Sequence, residues 1–181
     1  MKKILLLTMS LFALVACNND DDENTTEPPL ESFDYNETLG GDLSNVFDAP
    51  TNLAFVVGNN TVNASQSSSD VDYFTFTVPS ESELIEITLD DYQSTDDAAF
   101  IGIVAGSAFS NDASSTGASD LLGGTLYGVS NRGNDILASM GTLGGAQGFT
   151  GALGSGNYTI WLNQTGASSE AFFNFKIRKA N

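Results

Sequence analysis

Histidine is absent from this 181-residue chain, and Cys17 is its only cysteine. These two shortages exclude much of catalytic chemistry at once. No Ser-His-Asp or Cys-His arrangement can form. No zinc site of the usual nitrogen and sulfur ligands can be assembled, and no disulfide can form within the chain. Positive charge is scarce as well: 6 Lys and Arg stand against 23 Asp and Glu, a formal charge of −17. Such a chain repels nucleic acid and anionic lipid head groups, so no nucleic-acid partner is expected. The composition leaves carboxylates, amides, hydroxyls and backbone as the functional groups, and the expectation is a protein that is not an enzyme.

Long apolar runs are also missing, apart from one near the start. Met1-Lys2-Lys3 precedes an apolar stretch from Ile4 to Leu14, then Leu14-Val15-Ala16-Cys17. A basic start, about ten apolar residues and a small residue before a cut form a secretory signal; a spanning helix needs about 20. Leu-Val-Ala-Cys resembles the lipobox of bacterial lipoproteins. The resemblance implies cleavage after residue 16, lipidation of Cys17 and a membrane partner held through that lipid. Removing residues 1–16 takes away Lys2 and Lys3 and no acid, which moves the formal charge from −17 to −19. Asn18-Asn19-Asp20-Asp21-Asp22-Glu23 follows at once. It is either a solvated spacer or similar to the acidic export tag of surface lipoproteins, so the expected location is the outer membrane, lipid-anchored and exposed at the cell surface.

Residues 17–40 read as a disordered acidic tether stiffened by Pro28 and Pro29, and residues 41–181 as one folded domain. In the domain the apolar period is two. Phe74, Phe76 and Val78 alternate with Tyr73, Thr75 and Thr77. Ile85, Ile87 and Leu89 alternate with Glu86, Thr88 and Asp90, and Tyr158, Ile160 and Leu162 with Thr159, Trp161 and Asn163. Phe173, Phe175 and Ile177 form a fourth set. Weaker strands are expected at Leu53 to Val57, at Phe100 to Val104 and around Leu126. With no sustained helical stripe, the pattern predicts an all-β protein, an antiparallel β-sandwich of jelly-roll-like form. Most of the 18 glycines fall between Gly102 and Gly156. No Gly-Lys-Ser/Thr follows them, so they read as ordered loops between strands and not as a phosphate cradle.

Asp70-Val71-Asp72-Tyr73-Phe74-Thr75-Phe76 resembles the signature of the bacterial pre-peptidase C-terminal domain, a small β-sandwich of secreted proteins. Asp42-Leu43-Ser44-Asn45, Gly58-Asn59 and Gly156-Asn157-Tyr158 match its looser parts. The similarity runs from about Asp42 to Ile177, and the insert between Phe109 and Leu122 departs from the pattern. The resemblance implies a binding or spacer role with no reaction. It also implies a calcium site at Asp42, Ser44, Asn45, Asp70 and Asp72, in keeping with a cation that takes six to eight oxygens. The other reading of Asp70 and Asp72 is that they cap a turn. Asp90-Asp91 and Asp96-Asp97 read as solvated acids, since neighbours in a strand point to opposite faces. Trp161 with Thr159 and Asn163 would form a sugar-stacking platform if their face is open, and plain packing if the glycine-rich loops cover it. The expected function is a non-catalytic surface module for adhesion to an extracellular polymer, glycan or protein. The alternative is a structural, calcium-stabilised surface protein without a specific ligand.

Overall fold

In the computed structural model, residues 31–96 and 98–180 are described. Residues 1–16 and Cys17 lie outside them, so the signal and lipidation expectations are not addressed by the fold. Among the described residues, ten strands form two five-stranded sheets packed face to face. The first has the order β1 (Glu31–Asn36), β3 (Gly58–Gln66), β10 (Ser169–Lys179), β5 (Ser82–Gln93), β8 (Asn134–Asp135). The second runs β2 (Thr51–Asn52), β4 (Asp72–Val78), β9 (Gly156–Asn163), β6 (Ala99–Ala105), β7 (Gly123–Tyr127). Two four-residue helices, α1 (Glu37–Gly40) and α2 (Leu137–Met140), join them. The β-sandwich expectation holds.

The core follows from alternation. Phe74, Phe76 and Val78 of β4, Ile160 and Leu162 of β9, and Phe173, Phe175 and Ile177 of β10 all point between the sheets and are buried. Phe55 sits among them, stacked on Phe76 with ring centroids 4.5 Å apart and 5.3 Å from Phe175. The Leu53 to Val57 segment supplies Leu53 and Phe55 to this core without forming a strand. Asn60 holds it in place: its Oδ1 accepts from Val56 N at 2.7 Å, and its Nδ2 donates to Val56 O and Phe175 O, each at 3.0 Å. A buried amide with its donors and acceptor satisfied costs little and fixes the loop.

Three expectations need correction. First, the sandwich is not wholly antiparallel: both outermost N-terminal pairs, β1 with β3 and β2 with β4, are parallel. Second, the ordered domain does not wait until residue 41. Residues 31–40, read as tether, form β1 and α1, with Phe33 and Tyr35 packed on the core. Their polar neighbours hide a short period-two signal that pairing with β3 stabilises. Third, β5 does not alternate simply. Its register against β10 slips twice, at Ile85 and at Asp90, so Leu84, Ile87, Leu89 and Tyr92 all face inward. A bulge adds one residue and resets the parity of everything beyond it.

Gly58 is where β1 meets β3. Its φ is +144°, and a Cβ there would strike the carbonyl oxygen of Glu31, its partner across the parallel pair. Gly58→Ala should therefore lower stability by about 1–3 kcal/mol through strain and steric overlap. Denaturant unfolding measures the loss, and hydrogen exchange should locate it in β1; an unchanged midpoint would show that β1 accommodates the side chain.

Candidate cation site

The same parity that buries Phe74, Phe76 and Val78 also aims Asp72 inward, at the end of β4. Asp72 is 0% exposed, and neither of its carboxylate oxygens has a hydrogen-bond partner. Two further carboxylates converge on it. Oxygens of Glu37, Asp42 and Asp72 lie within 4.8 Å of one another.

Local structure places each of these groups. Asn36 caps α1, its Oδ1 accepting from Thr38 N at 2.8 Å, which sets Glu37 in the first turn. Glu37 then accepts from Leu43 N at 3.1 Å through Oε1 and from Ser65 N at 2.5 Å through Oε2. Gly41 turns the chain with φ +97° and receives the Tyr35 hydroxyl on its carbonyl at 2.7 Å. Asp42, exposed, comes next in the loop. The site thus closes one end of the sandwich and ties β1, α1 and the following loop to β3 and β4.

The electrostatics are unfavourable as they stand. Burial, followed by the charges of Glu37, Asp70 and Asp42, pushes the Asp72 carboxyl up to about 9. The Gln66 amide beside it works the other way, although Gln66 Nε2 completes no hydrogen bond. Glu37 is raised too, by burial first, with two backbone N–H donors opposing the shift. Three converging carboxylates of which one is buried and unpartnered require either protons or a cation. All the donors are hard oxygens, so the residues fit calcium, which prefers carboxylate and carbonyl oxygen, better than a soft-ligand metal.

Of the five expected calcium ligands the structure brings Asp42 and Asp72 together. Asp70 is adjacent, half-buried and raised by burial and by Asp42, but lies outside the cluster. Ser44 and Asn45 take part in loop hydrogen bonds. Ser44 Oγ accepts from Val46 N at 3.1 Å, and its carbonyl accepts from Tyr73 N at 2.8 Å. Asn45 Oδ1 accepts from Val71 N at 3.1 Å. Both are spent on holding the loop against β4. Glu37 was missed because its segment was assigned to the tether; the alternation of Phe33 and Tyr35 just before it was the available signal.

Of the two expectations for Trp161, the structure has the packed one. Trp161 is 7% exposed, and Thr159 is fully buried with its hydroxyl donating to Gly106 O at 2.9 Å. The insert and the glycine-rich loop lie over this outer face of the second sheet. Phe109 meets Trp161 edge-on at 6.2 Å and Tyr73 at 5.4 Å, and Leu121, Leu143 and Ala146 complete a second apolar cluster. Gln147 N and Gly148 N donate to the carbonyls of Leu121 and Leu122, each at 3.0 Å, binding the two loops to each other. Asn163 and the edge of Trp161 that stays exposed line a shallow 250 Å³ indentation at the rim of this cover. A covered indole leaves no flat face for a sugar ring.

No family model matches the sequence, and none of the curated proteins does. Among solved structures, the chain is similar to the pre-peptidase C-terminal domain of collagenase from Bacillus anthracis. Identity is 12%, the TM-score is 0.32, and the match covers 71% of this chain and 93% of that chain.

Proposed function

We propose that the chain is a non-catalytic, lipid-anchored surface module whose sandwich is locked by one calcium-class cation held by Glu37, Asp42 and Asp72. One observation carries the cation: a wholly buried Asp72 with both oxygens unpartnered, facing two more carboxylates. The anchor rests on Leu14-Val15-Ala16-Cys17. Because the acids come from α1, the loop after it and β4, a bound ion would join the start of the domain to both sheets. That is a stabilising role, suited to a chain with no disulfide. The stabilised-module reading is preferred over glycan adhesion because the indole meant to stack on sugar is covered.

Calcium titration tests it directly. One ion per chain should bind, and at about 100 times Kd the native state should gain about 2.7 kcal/mol, lost again on chelation. Magnesium, which dehydrates reluctantly and demands octahedral geometry, should do less. A melting temperature indifferent to calcium and chelator would overturn the reading. Incorporation of labelled fatty acid that disappears in Cys17→Ser tests the anchor separately.

A further inference from the structure

On the outer side of the first sheet, beside the helix that carries Glu37, lies a groove of about 610 Å³. Its floor is the outer face of β3 and β10, and α1 forms one wall. Its apolar lining includes Tyr35, the half-buried Phe172 and Leu39, which stands 88% exposed on α1. Its charged groups are all acceptors. Asp34 lies on the β1 side, and Asp90 and Asp91 on the β5 side. These last two are not on opposite faces as simple alternation would have them, because the register slip at Asp90 turns both toward the groove. Asp91 is partly neutralised by Arg132 at 3.2 Å, whereas Asp34 accepts only from the neutral Thr61 hydroxyl. On the floor, Asn63 is 8% exposed and spends its Nδ2 on Glu170, which leaves Oδ1 without a donor.

We propose that this groove docks a basic extracellular peptide segment, one that sets an apolar side chain beside lysine or arginine. The chemistry is complementary at each point. Lysine and arginine bring donors and no acceptor to a site that holds acceptors in excess. Their neighbour's apolar side chain covers the exposed Leu39 and the half-buried Phe172, which are otherwise left to water. A second copy of this chain is a poor occupant, since like-charged acidic faces repel. The groove and the cation centre share α1, which carries both Leu39 and Glu37, so peptide binding is measured with calcium and with chelator to read the two proposals apart.

The test uses the full chain, purified in non-ionic detergent, and a fluorescent hexapeptide alternating lysine and leucine. Binding is followed by anisotropy. The Asp34→Asn/Asp90→Asn pair and, separately, Leu39→Ser should each weaken binding about tenfold or more. Asp48→Asn/Glu81→Gln, which removes as much charge elsewhere on the surface, should change it less than about twofold. All four acids and Leu39 are exposed, so unchanged melting curves are expected for every variant. A glutamate–leucine peptide should not bind. Equal weakening by both acid pairs would reduce the effect to general attraction by an acidic protein and overturn the proposal. So would a Leu39→Ser variant that binds as well as the parent, or a dimer in sedimentation that Leu39→Ser dissolves.

Discussion

Asp72→Asn should make the metal-free protein more stable at pH 8, by about 1–3 kcal/mol, while abolishing its response to calcium. The sign follows from linkage. In the unfolded chain this carboxyl titrates near ~3.9, whereas in the fold it is pushed up to about 9. Between those values the native state holds a proton that the unfolded state has released. Stability of the metal-free protein therefore falls as pH rises from about 4 toward 9. Glu37 and Asp70, raised in the same direction, add to the slope. An amide cannot ionise, so the variant should lose the Asp72 part of that decline. Calcium works against the parent's decline, because it binds the deprotonated carboxylates and its affinity should grow as pH rises. Denaturant unfolding at pH 5 and pH 8, with calcium and with chelator, checks all four corners. A variant that retains the parent's calcium response would show that Asp72 is not a ligand.

Trp161→Ala should cost about 3–5 kcal/mol, the range for deleting a large buried aromatic, and lower the melting temperature by about 10 °C. The indole joins strands of the second sheet to the insert and the glycine-rich loop. Phe100 packs against it at 5.1 Å and Phe109 at 6.2 Å. Its removal would leave a cavity beneath the cover and detach Leu121 and Leu143 from what they bury. Trp161→Phe should recover much of the loss. Carbohydrate retention in affinity electrophoresis should not change in either variant once both are compared folded. A drop below about 1 kcal/mol would mean that the loops are not packed on this face as described.

The Trp161 outcome shows where alternation stops being informative. Period two states that Trp161 lies opposite Ile160 and Leu162; it does not state what covers the opposite face. That is decided by two loops from other parts of the chain. The same holds for Asp90 and Asp91. Their adjacency places them on opposite faces only in a regular strand, and the bulge that brings them to one groove is a property of pairing with β10. For the cation site, Asp72 was named through the resemblance of the segment from Asp70 to Phe76 to a family signature, and its inward aim follows from sharing the parity of Phe74. Glu37 was not, because its segment is polar, acidic and ordered only through contacts with β3.

Residue order alone determined the all-β class, the inward faces of β4, β9 and β10, and the absence of imidazole and of a second thiol. These depend on local periodicity and composition, which each segment carries by itself. Tertiary structure decided which carboxylates converge, which indole is covered and where the ordered domain begins. Those are outcomes of strands and loops far apart in the chain meeting in space, and burial strips water from groups whose chemistry in solution is ordinary.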